Sequence, residues 1–63
     1  MDTAFLKRLA KVLKRGKSAA CQRAIERLLA AVQTRYEGGQ FGSTSEAEAV
    51  LRELVSKESV CQK

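Results

Sequence analysis

The sequence predicts an all-α fold, three amphipathic helices at about residues 3–15, 19–36 and 45–58 packed as a small helical bundle that forms a homodimer. Apolar residues recur at three- and four-residue spacing through three successive segments. Glycine occurs only between those segments, at Gly16, Gly38, Gly39 and Gly42, and proline is absent. Apart from a few residues around Gln40, nothing alternates as a half-buried strand does. The dimer follows from size: a domain of 63 residues buries only about 60% of the surface its unfolded chain exposes, so it needs a staple or a second subunit. Residues 1–63 read as one domain without repeats.

In the first helix Phe5, Leu6, Leu9, Val12 and Leu13 form the apolar stripe, with Lys7, Arg8, Lys11, Lys14 and Arg15 opposite. Asp2 reads as its N-cap, and Gly16 as its stop, because glycine enters the left-handed region without steric cost. Ser18 caps the second helix, which buries Cys21, Ile25, Leu28, Leu29, Val32 and Tyr36 and turns Arg23 and Arg27 outward. Gly38-Gly39 ends it. The third helix opens on Ser45 and Glu48, read as a capping box of hydroxyl and carboxylate, and buries Ala47, Val50, Leu51, Leu54 and Val55.

Gly16-Lys17-Ser18 has the tail of a phosphate-binding loop, but that loop needs glycine where this chain has Lys11, and it must follow a strand rather than a helix. A DNA-reading helix-turn-helix is disfavoured by Lys11 and Gln22, polar where such a motif is usually apolar, and by the length of the second helix. The chain has no His, and no Ser or Cys sits beside an obvious base, so the chain is read as no enzyme. Two cysteines cannot complete a zinc site, and no metal or cofactor is expected. The acidic start "MDTAF" and the short aliphatic block "LLAAV" match neither a signal peptide nor a membrane span, so the expected location is cytoplasmic.

Cys21 lies fifteen residues before Tyr36 and Cys61 sixteen after Ser45, so antiparallel second and third helices would bring the two level. Two forms stay open. One is a disulfide, worth about 4 kcal/mol in the chain-entropy picture. The other is a pair of buried reduced thiols, the form favoured in a chain without an export signal.

Charge carries the functional expectation. Residues 1–36 hold nine Lys and Arg against two acidic residues, a net +7, whereas residues 37–63 hold three against five, a net −2. Five cations on one short helix repel one another, and an acidic partner relieves that repulsion. The expected function is therefore a small basic regulatory protein, non-enzymatic, that contacts nucleic-acid phosphates. Duplex DNA or structured RNA would be met by Lys7, Arg8, Lys11, Lys14, Arg15, Lys17, Arg23 and Arg27. Single strands fit less well, because Phe5 and Tyr36 read as buried and leave no stacking platform. The alternative is protein–protein interaction with an acidic surface, as an adaptor, inhibitor or antitoxin-like module that occludes its partner. A membrane is not the expected partner, because the apolar stripe of the first helix is needed by the fold.

The segment Gly38 to Val55, "GGQFGSTSEAEAVLRELV", resembles the link between the two helices of ribbon-helix-helix antitoxins of the ParD type, at Gly39, Phe41, Gly42, Ser43, Ser45 and Glu46. The resemblance covers under a third of the chain. It implies a shared turn and cap. That family reads DNA with an N-terminal β-strand, and here the basic helix stands in its place, so no functional residue is carried over.

Overall fold

A helix forms wherever the apolar residues repeat: α1 spans Ala4–Leu13, α2 Ala19–Glu37 and α3 Thr44–Lys57, followed by one 3-10 turn at Ser59–Cys61. This computed structural model describes residues 2–62, all-helical with no strand among them. The expected helices are therefore present, with ends shifted by one or two residues.

The helices alternate in direction, as short connections require. Thr3, before α1, accepts from Gln33 late in α2 at 3.3 Å, and Phe5 meets Tyr36 edge-on at 5.1 Å between ring centroids. At the other end Gln22, early in α2, donates to the carbonyls of Lys14 and Lys17, both at 3.2 Å. Cys21 is joined to Cys61 by a disulfide, which ties the start of α2 to the chain beyond α3. Of the two forms left open by the sequence, the structure has the cross-linked one. The expected compartment favours the thiol form, whereas the antiparallel helices and the turn at Ser59–Cys61 bring the two Cα atoms to 4.9 Å, within bonding reach.

Leu6, Leu9 and Ala10 from α1, Cys21, Ile25, Leu29 and Val32 from α2, and Ala47, Leu51 and Val55 from α3 make the core. Phe5, Leu13, Leu28, Tyr36, Val50 and Leu54 pack around it. Val12 departs from expectation: it is 53% exposed, and Ala10 takes the buried position. At 100° per residue Val12 lies about 120° from Leu6 and Ala10 only about 40°, so the stripe centres nearer Ala10 than the larger side chains imply.

Termini explain the boundaries. The Ser18 hydroxyl accepts from the Cys21 N–H at 3.2 Å, the N-cap expected there. Gly39, at φ +77°, closes α2 in a Schellman motif, with Gln40 N–H on the Arg35 carbonyl at 3.1 Å and Gly39 N–H on that of Tyr36 at 3.0 Å. Gly16, at φ +71°, turns the chain out of α1 as expected. Two caps differ. Thr3 occupies the N-cap position of α1 without a side-chain capping bond, while the Asp2 carboxylate takes the Ala4 N–H at 2.9 Å. The box of α3 is built on Ser43 and Glu46 rather than Ser45 and Glu48: the Ser43 hydroxyl accepts from Glu46 N–H at 3.2 Å and the Glu46 carboxylate accepts from Gly42 N–H at 2.9 Å. Both pairs fit the sequence pattern, but the earlier one adds half a turn of helix, and its carboxylate takes the N–H one residue before the N-cap, a variant of the box.

Candidate nucleic-acid interface

α1 lies against α2 on one side and α3 on the other, so its outward face is bounded by two grooves. Lys7, Lys11 and Lys14 are spaced by four and three residues and therefore share one flank, the flank nearer α2. Together with Glu26 and Gln33 of α2 they rim an open groove of about 460 Å³, with Ala10 and Leu29 beneath. At 1.5 Å rise per residue the lysine row is about 10 Å long, which spans about three phosphates of one B-DNA strand.

The row is not wholly free. Lys14 is half-buried and pairs with Glu26 across the groove. A pair with one exposed partner contributes at most about 1 kcal/mol, so a phosphate can replace Glu26 at small cost. Lys7 and Lys11 are exposed and make no ion pair among the described residues. Gln33 donates its side-chain N–H to the Thr3 hydroxyl, and Gln22 donates its own to the backbone before α2.

The remaining expected cations are spread out. Arg15 and Lys17 are exposed in the turn beyond the end of the row. Arg8 lies in the second groove, between α1 and α3, with Arg52. Arg23 and Arg27 are exposed on α2, each about 160° from Ile25 around the helix, and so face away from the core. The eight residues therefore do not share one groove: Lys7, Lys11 and Lys14 do, while Arg8, Arg23 and Arg27 lie on other faces.

Glu26, Gln33, Glu48 and Arg52 were not among the expected site residues. Glu26 and Gln33 stand about 100° and 80° from Ile25, flank positions legible from helical periodicity. Which neighbouring helix they face depends on how the bundle folds back. The aromatic side chains offer no platform for bases: Phe5 and Tyr36 pack on each other, and Phe41 lies under the Arg35 guanidinium, 5.0 Å from ring centroid.

Among the described residues no helix is long and apolar enough to cross a membrane, and no three metal-ligating side chains converge. No known protein family, no curated protein and no solved structure matches the chain.

Proposed function

We propose that this protein is a non-catalytic, regulatory binding module that grips nucleic-acid phosphates, duplex DNA or structured RNA, along the lysine row of α1. The observation that carries the reading is the placement of Lys7, Lys11 and Lys14 on the rim of one groove, with Arg15 and Lys17 exposed beyond its end. Lysines contact phosphates as flexible point charges and carry no planar group matched to a base edge, so binding is general to duplexes.

The disulfide supplies the kind of staple that a second subunit otherwise supplies, so a single copy is enough for this contact and the expected homodimer is not required by it. A cytoplasmic location goes with the reduced form of the cysteine pair, because thiols are kept reduced there, and the cross-linked form belongs to an oxidising compartment.

Fluorescence anisotropy of a labelled mixed-sequence duplex tests the reading. Five phosphate contacts give a salt slope of about −4.5, so affinity should fall ~500-fold between about 50 and 200 mM salt. No binding at the lower salt would overturn the proposal.

A further inference from the structure

The second groove of α1 has a different chemistry. Phe5, Arg8, Leu9 and Val12 of α1 and Glu48 and Arg52 of α3 enclose about 260 Å³. Among the described residues Val12 and Val60 are the large hydrophobic residues left exposed, and Val12 lies in this groove. We propose that the α1–α3 groove is a docking site for a protein segment that presents one apolar side chain next to one Asp or Glu.

Size and charge select that occupant. Pockets that enclose a drug-sized ligand run to about 300–1,000 Å³, so this open groove admits a side chain or two and little more. Its floor is apolar, from half-buried Phe5, buried Leu9 and exposed Val12. Arg8 and Arg52 are exposed on its rim, and neither is ion-paired among the described residues. Glu48 precedes Arg52 by four residues, the spacing at which helical charges pair, yet the two are not joined. Counting Glu48, the groove carries a net charge of +1. One carboxylate balances it, and an apolar neighbour covers Val12.

The same features argue against other occupants. A phosphate backbone offers nothing to the apolar floor and is repelled by Glu48. A second copy seated symmetrically through α1 would bring the Arg8, Lys11 and Arg15 side chains of both molecules together, the like-charge clash that blocks wrong partners. Arginine, by contrast, is among the side chains enriched in binding hot spots, and here two of them border an apolar floor. This groove is distinct from the lysine groove, so the proposal stands whether or not the protein binds duplexes.

The test uses a fluorescein-labelled, end-blocked peptide with a single Glu-Leu pair among serines, followed by anisotropy and by amide NMR shifts of the full chain. The expected result is saturable binding with shifts centred on Phe5, Val12 and Arg52. Replacing Leu by Ala or Glu by Gln in the peptide, or making Val12→Ser or Arg52→Gln in the protein, should weaken binding at least about fivefold, the cost of losing a significant interface residue. Val12 and Arg52 are exposed, so both variants should keep the native thermal unfolding midpoint. The proposal is overturned by no binding at millimolar peptide, by shifts that map to Lys7, Lys11 and Lys14, or by indifference to the Leu→Ala change. Shifts at Val12 that follow protein concentration without peptide would also overturn it, by showing that a second copy covers the groove.

Discussion

The two flanks of α1 belong to one ten-residue helix, yet they face different chemistry. On the α2 side three lysines rim a groove with Glu26 and Gln33, over the small floor of Ala10 and Leu29. On the α3 side Arg8 and Arg52 border an apolar floor that ends in exposed Val12. The difference arises from spacing: residues 7, 11 and 14 fall on one edge of the buried stripe, residues 5 and 12 on the other, and the bundle puts a different helix against each. A basic helix read from its composition looks uniform, and only its packing separates a lysine-rimmed flank from an apolar one.

Both faces depend on the bundle, so the largest effect should come from the cross-link. Reducing the disulfide, or Cys61→Ser, removes a constraint worth about 4 kcal/mol in the chain-entropy picture. In so small a domain that lowers Tm by well over ~10 °C, readable by circular dichroism, and near the new midpoint duplex and peptide binding should be lost together. Loss of only one would show that the two faces are not parts of one folded unit.

Salt should separate them next. Duplex affinity is expected to fall ~500-fold between about 50 and 200 mM salt, whereas the peptide, with its single carboxylate, should lose only about fourfold. A third contrast comes from Val12→Ser, which should weaken the peptide at least about fivefold and leave the duplex within about twofold. Equal effects on both ligands would merge the two faces into one.

The smallest effect concerns the wall of the second groove. Ser43→Ala should destabilise the start of α3 by about 1 kcal/mol, with Ser45→Ala within ~0.5 kcal/mol of the native protein. Because Glu48 and Arg52 stand on α3, fraying from Ser43→Ala should reach the peptide before the duplex. Chemical denaturation of both variants checks the ranking.

Much of this was legible before folding. The spacing of Leu6, Leu9 and Leu13, of Cys21, Ile25, Leu29 and Val32, and of Ala47, Leu51 and Val55 marks three helices, with Gly16 and Ser18 between the first two. The position of Ser43 was not, because Ser43-x-x-Glu46 and Ser45-x-x-Glu48 carry the same pattern two residues apart. The cysteine pair was level by counting, but whether it would be bonded depended on how the chain ends after Lys57, where the 3-10 turn brings Cys61 back onto α2. Periodicity also assigns Lys7, Lys11 and Lys14 to one edge of α1. It does not say that α2 lies along that edge, and for that reason Glu26 and Arg52 could not be read as members of either groove.

The central claim, that the lysine row is the phosphate contact, is tested most directly by the salt slope of duplex binding for the native protein beside Lys7→Glu/Lys11→Glu. Loss of two contacts should lower the magnitude of the slope by about two and weaken binding to any duplex alike. An unchanged slope in the double variant would contradict the account and make those lysines a solvated surface.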